Sequence, residues 1–316
     1  GEETMNTLYL EYAVEVEKAG SITQAADNLY MAQPNLSKAI KELEDSLGFM
    51  IFERTPKGVV PTRKGSQFLI YAKNILEQLY KMETLSKPDH PDIQRFSISI
   101  PRVSYIAHGF TKFVAALDMK KGIEINVQET NSMQTITNIV EGRFNLGIIR
   151  YENSYENYFL DYLTNKGLDY DLIWEFEYLA LMSKNHPLAS AKEVVYDELV
   201  EYIEIAHGDK AIPYLSAGEA RRQSGSPNAH KRIYLYERGN QFELLANIPT
   251  TYMWVSPVPD NFLNRYNLVQ RKCKIANNKN KDQLIYPSGY KFTSLDKKFI
   301  NKLYEVRNEV SFKEYN

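Results

Sequence analysis

Along the first fifty residues, apolar positions recur at intervals of three and four, the repeat of a helix with one buried face. Leu8, Tyr12, Val16 and Ala19 share such a face, and Gly20 follows as a natural C-terminal stop, so the spacing predicts a first helix. Ser21 and Gln24 form an S-x-x-Q capping box ahead of Ile22, Ala25, Ala26 and Leu29, which predicts a short second helix whose alanines allow close packing. Pro34 stands where a helix tolerates proline best, in the first turn of QPNLSKAIKELEDSL, so a third helix opens near Gln33. Leu36, Ile40, Leu43 and Leu47 make its apolar stripe, while Gln33, Ser37 and Lys41 line a polar one with Pro34 and Lys38 beside it. One stripe belongs to a core and the other faces out.

Past Gly48 the period changes. Phe49, Ile51 and Phe52 are core candidates, and a turn at Pro56, Lys57 and Gly58 separates two short extended pieces, which predicts a hairpin wing. All charged residues from Arg54 to Lys64 are positive: Arg54, Lys57, Arg63 and Lys64. A polar stripe on the first turns of a helix, beside a basic edge, is what reading base edges in a DNA major groove requires. Gln33, Pro34, Ser37, Lys38, Lys41, Arg54, Thr55, Lys57 and Arg63 are therefore the candidate DNA contacts, with a merely solvated polar face as the plainer alternative. A long helix follows from Thr62 to about Leu85, with Thr62 as N-cap. Phe68, Ala72, Ile75, Leu79 and Met82 alternate at spacings of four and three along it, a seam for a partner helix or, alternatively, for the protein's own body.

Composition adjusts this picture in a few places. At 316 residues the chain exceeds what a single core usually holds, so at least two are expected. The formal net charge of −2 means that DNA contact must come from a local patch. No run approaches the roughly 20 apolar residues of a bilayer span, and the first residues lack the basic and apolar regions of a secretion signal, so a cytoplasmic protein is expected. Met5 is a candidate start, which leaves open whether residues 1–4 belong to the natural chain. The single cysteine, Cys273, excludes an internal disulfide framework and fits a reducing compartment. No phosphate-cradling, zinc-protease, nucleophile-elbow or dinucleotide motif occurs, and the histidines are scattered, so no enzyme activity, cofactor or metal is expected.

Beyond the long helix, KPDHPDIQ (87–94) has two prolines and no periodicity, the character of a hinge. Strand-like RFSISI, IEINVQ, NLGIIR and YLALMS then alternate with helical stretches, which predicts an α/β sheet with connections across its faces.

The segment AADNLYMAQPNLSKAIKELEDSLGFMIFERTPKGVVPTRKG resembles the DNA-binding module of LysR-type transcriptional regulators. The resemblance rests on Ala25-Ala26, Gln33-Pro34, Leu36-Ser37, Ile40, Leu43-Glu44, Leu47-Gly48, Phe52-Glu53-Arg54, and Thr62 followed by Gly65. Two positions depart from the pattern: Ala32 replaces a serine, putting a capping or phosphate contact in doubt, and Lys64 replaces an alanine, adding a charge. The resemblance implies an α-rich winged helix-turn-helix at 5–64, a linker and dimerisation helix at 65–86, a hinge at 87–94, and an effector-binding domain at 95–316. That last domain is expected to resemble periplasmic binding proteins, with one α/β subdomain at 95–183 and 262–316 and a second at 184–261. A small-molecule effector would lie between them. Its candidate contacts, at strand ends and helix starts, are Arg102, Ser104, Asn131, Ser132, Arg150, His207 and Arg238, with Pro101 and the rest of 237–240 nearby.

Each has a plainer role available, as a helix cap, a surface charge or a loop residue. Arg102, Arg150 and His207 together suggest an anionic effector. The 23 tyrosines raise the alternative of an aromatic box, though tyrosines more often line cores and interfaces. The implied partners are a dyad-symmetric double-stranded operator, the effector, and a second copy or more of the chain as a homodimer or homotetramer; RNA polymerase is a further candidate. Two other functions stay open: a DNA-binding regulator whose C-terminal domain only oligomerises, and an enzyme with an unrecognised site.

Overall fold

The chain opens with three helices, the first and third ended by glycines. In the computed structural model, which describes residues 6–56, 58–85, 93–210, 212–216, 219–220, 230–274 and 279–313, α1 is Thr7–Ala19, α2 is Ile22–Asn28 and α3 is Gln33–Leu47. Gly20 and Gly48 close α1 and α3 with left-handed backbones. Ser21 caps α2 by accepting from the Gln24 amide, but the reciprocal half of the expected capping box is missing. The Gln24 side chain donates instead to Asn28, 3.0 Å away and one turn along the same helix. Ala32 gives α3 no side-chain cap.

The wing is an antiparallel pair, β1 (Phe52–Thr55) and β2 (Gly58–Pro61). It is tied to the helices at its tip, where the Val59 amide donates to the Gly20 carbonyl at 2.9 Å. Ala13, Val16, Ala25, Ala26, Leu36, Ile40, Leu43, Ile51, Phe52 and Leu69 form the core of this unit. Glu44 is buried against that core, and one of its carboxylate oxygens accepts from the backbone amides of Ile51 and Phe52 at 2.7 and 3.0 Å. The fragment Leu43-Glu44 thus fixes where the wing begins. Next comes α4 (Arg63–Leu85), capped by Thr62, whose hydroxyl accepts from the Gly65 amide.

Of the expected hinge, 87–92 lie outside the described residues, and Ile93 and Gln94 already belong to a strand. Chain contacts divide the molecule into residues 1–90 and 91–316.

The second unit contains two sheets. A five-stranded sheet has the order β4-β3-β5-β13-β6, from β3 (Ile93–Ile100), β4 (Gly122–Glu129), β5 (Leu146–Glu152), β6 (Leu168–Glu177) and β13 (Lys279–Pro287). β3 runs parallel to β4 and β5, while β13 is antiparallel to its neighbours. Phe96, Ile98 and Ile100 of β3 pack with Phe113 of α5 (Ser104–Ala115) and with Phe299 and Leu303 of the last helix, Ser294–Ser311. Ile149 and Ile285 pack on the opposite face with α6 (Ser132–Val140) and α7 (Glu156–Asn165).

A six-stranded sheet has the order β10-β9-β11-β7-β12-β8. Its strands are β7 (Leu179–Ser183), β8 (Glu193–Val194), β9 (Ile203–His207), β10 (Arg232–Leu235), β11 (Thr251–Val255) and β12 (Leu268–Cys273). Helices α8 (Tyr196–Leu199), α9 (Gln241–Asn247) and α10 (Asp260–Arg265) connect them, which makes the final helix α11.

The chain therefore crosses between the sheets at Tyr178 and is back in the five-stranded sheet from Lys279. This corrects the expected crossings at 183 and 262. β6 and β7 are separated by one residue with no Gly or Pro signal to mark the change of sheet; YLALMS and β12 belong to the second subdomain.

Candidate functional site

In the first unit, α3 divides as its pattern requires. Leu36, Ile40 and Leu43 are buried, whereas Pro34, Lys38 and Lys41 are exposed, and Gln33 and Ser37 half-buried. The Gln33 amide nitrogen donates to the Ser37 hydroxyl at 2.7 Å, which leaves the Gln33 carbonyl oxygen and one N–H to meet a base edge. Lys38 also lies 3.7 Å from Glu42. Arg54, Arg63 and Lys64 are exposed, and Lys64 sits 5.6 Å from the Phe49 ring centroid. Thr55 donates to the Gly58 carbonyl and so closes the wing turn. Lys57 lies outside the described residues. Two exposed groups were missed: Asn35 on the first turn of α3, and Tyr30, 97% exposed with a left-handed backbone in the turn before it.

On the linker helix the predicted seam divides. Ala72 is buried and Phe68 packs on the core of its own unit, which corrects their assignment to a partner helix. Ile75 and Met82 are exposed, Leu79 half-buried, and Ile70, Tyr71 and Tyr80 add to the exposed apolar surface.

In the second unit, six of the seven candidate effector residues end or follow a strand, and Arg150 lies within β5; Arg102, Ser104, Asn131, Arg150 and Arg238 bond across to the other subdomain. Asn131 caps α6, accepting from the Gln134 amide, and its own amide reaches Asp209 at 3.5 Å. The Ser132 hydroxyl donates to the Arg150 carbonyl at 2.8 Å and accepts from the Arg150 amide at 3.0 Å, stitching α6 to β5. Arg102 pairs with Asp209. Arg238 pairs with Glu129 at 3.0 Å and donates to the buried Ser104 hydroxyl at 3.3 Å. Lys210 pairs with Glu152 at 2.7 Å.

Arg150 is held on three sides. It donates to both carboxylate oxygens of the buried Asp282, at 2.8 and 2.7 Å, and to Ser256 at 3.0 Å; its guanidinium also lies 4.3 Å from the Phe176 ring centroid. Burial works against its charge, but Asp282 outweighs burial and raises its pKa above the ordinary value. Tyr105 donates to the same carboxylate at 2.6 Å. His207 is neutral: burial first, then the charge of Arg102, pushes its pKa down to about 4. Its ring nitrogens are closed off from solvent and meet no side-chain partner, and Arg102 Nε is likewise buried and unmatched.

These pairings change the expected electrostatics. Arg102 and Arg150 face carboxylates and His207 carries no charge, so the three cations expected to draw an anion are not free to do so. Glu129 and Asp209 were open to the same positional argument as Asn131 and His207, since each lies at or just past a strand's end. Asp282 was not, because β13 brings it to Arg150 from 132 residues away. Of the tyrosines, Tyr151 stacks on Phe159 in a core, and Tyr158 stacks on Tyr162 and meets Tyr214 edge-on. Among the described residues no cluster of side chains suits a metal ion, and no helix is long and apolar enough to cross a membrane.

Residues 9–66 match the family model described as bacterial regulatory helix-turn-helix protein, lysR family. The chain is 25% identical over 198 residues to the uncharacterized HTH-type transcriptional regulator YnfL of Escherichia coli, covering 61% of this chain and 62% of that one. It is 30% identical over 149 residues to the nitrogen assimilation regulatory protein nac of Escherichia coli, covering 43% and 49%. These alignments span less than two thirds of the relatives' length. Among solved structures, full-length CbnR in complex with its target DNA is similar in fold, with a TM-score of 0.59 at 13% identity over 96% of this chain and 100% of that one. The probable transcriptional regulator PA0477 from Pseudomonas aeruginosa follows the same fold, with a TM-score of 0.52 at 12% identity, covering 95% and 96%.

Proposed function

We propose that the chain, whose residues 9–66 match the lysR-family helix-turn-helix, is a LysR-type, sequence-specific DNA-binding transcription regulator controlled by a small-molecule effector held between its two α/β subdomains. The observation that carries this reading is the division of α3: its apolar stripe is buried, and the polar face that begins at Gln33 is open beside a wing with exposed Arg54 and, past it, Arg63. In such a module the helix enters the major groove while the wing edge meets phosphates.

The remaining exposed surface of α4 is assigned to a second copy of the chain, which would present two reading helices to a dyad-symmetric site. The relatives named above are regulators, and no catalysis is proposed. The working compartment is taken to be the cytoplasm, where an operator is met.

Selection of bound sequences from a random DNA pool tests the reading, and failure to enrich any sequence overturns it. Gln33→Ala is expected to narrow the gap between selected and random DNA by about 1–3 kcal/mol. Arg54→Ala is expected to weaken binding to both alike and to flatten the salt dependence. Fluorescence anisotropy titrations at several salt concentrations separate the two effects.

A further inference from the structure

The charges between the subdomains are arranged so that each wall carries both signs. The five-stranded subdomain contributes Arg102, Glu129 and Glu152; the six-stranded one answers with Asp209, Arg238 and Lys210, giving three ion pairs across the boundary. Arg150 stays outside this exchange, being closed by Asp282 on its own side.

Of the three crossing pairs, Arg102–Asp209 is the one in which a charged partner itself carries a buried polar atom with no partner, Arg102 Nε. Arg102 Nε and both nitrogens of His207 are buried without side-chain partners, and the Asn131 amide meets Asp209 only at 3.5 Å. Buried polar atoms are normally bonded, so Arg102 Nε and the His207 ring, which has only the Leu235 backbone beside it, mark a place with bonding capacity that a ligand's polar atoms could use.

A simple anion on Arg102 would displace Asp209 and leave its half-buried carboxylate without the charge that balances it. A simple cation on Asp209 would strand Arg102 in the same way. Breaking one side of a buried pair costs several kcal/mol in general, so either ligand works against itself. A molecule that brings both charges replaces the pair without leaving one over.

Resting on the reading of this boundary as the effector site, we propose that the effector is a zwitterion of the α-amino-acid class. Its carboxylate lies on Arg102 and its ammonium on Asp209, and the His207 ring bonds one of its polar atoms. Neutral imidazole suits that place, since it offers one donor and one acceptor and adds no charge to the balance.

Isothermal titration calorimetry of the full chain with each common α-amino acid tests this, followed for any that binds by the matching 2-hydroxy acid and the matching primary amine. The amino acid is expected to bind about tenfold or more tightly than either analogue. Asp209→Asn, which leaves Arg102 without its counter-charge, is expected to shift the preference toward the 2-hydroxy acid. A 2-hydroxy acid that binds the wild-type chain as well as its amino acid overturns the proposal, and so does a panel in which no amino acid gives heat or thermal stabilisation. DNA binding is measured on the same preparation. Retained DNA binding with no amino-acid preference removes the ligand class alone, whereas absent DNA binding removes the regulator reading itself.

Discussion

Gly65 illustrates how little freedom single positions in the head retain. A Cβ there would stand 1.9 Å from the Ile51 carbonyl oxygen, and both atoms that must part are tied to backbone. Gly65→Ala is therefore expected to destabilise the first unit by about 1–3 kcal/mol, read as a lower midpoint in chemical denaturation. The motif Thr62 followed by Gly65 was visible in the sequence, but the reason for the glycine, a backbone crossing fourteen residues away in chain order, was not. Histidines give a second residue-scale expectation. Burial pushes His186 and His207 to about 4 from 6.5, so both stay neutral in the fold at a pH where the unfolded chain takes up a proton. The unfolded state then binds more protons, and stability falls as pH drops from about 6.5 towards about 4, on the order of 2–3 kcal/mol per histidine. His207→Asn is expected to flatten part of that slope, as thermal melts across the window will show; an unchanged slope would mean that His207 is not held neutral.

Among the elements, α4 serves two purposes along one length. Its first turns place Phe68, Leu69 and Ala72 within or against the packing of the head, while Ile70, Tyr71, Ile75, Tyr80 and Met82 remain exposed. A strip of this kind needs a cover. The double substitution Ile75→Asp and Met82→Asp is expected to shift the chain from an oligomer to a monomer in sedimentation velocity. The melting of the head should change little, because neither residue belongs to its core. A wild-type chain that sediments as a monomer would remove this assignment of the helix. The seam was predicted as one stripe because a four-and-three spacing reports only periodicity; which half turns toward the chain's own core depends on where α1 packs. Helix ends were easier to read, since Gly20, Gly48 and Thr62 act on their immediate neighbours. The capping box at Ser21 was half right because two partners at helical spacing competed for the Gln24 side chain and the sequence does not rank them.

For the molecule as a whole, a ligand that favours one arrangement of the two subdomains and a DNA site that favours one arrangement of the heads must influence each other equally. An effector that tightens operator binding tenfold should itself bind about tenfold more tightly when operator is present, a reciprocity that titration in both orders measures. Unequal factors would show that the two sites do not share one equilibrium. By itself the sequence determined the head almost completely: apolar spacing, caps and turn residues act over a few positions, and α3 with its wing is built from neighbours. Strand ends and helix starts are likewise legible locally, which is how Arg102, Ser104, Asn131 and Ser132 could be singled out. Only the tertiary structure decided what those residues are paired with. Asp209, Glu129 and Asp282 come to Arg102, Arg238 and Arg150 from about a hundred or more residues away, and a charge has no fixed meaning until its partner is known. That is why a boundary read as cationic from its arginines is balanced in the fold.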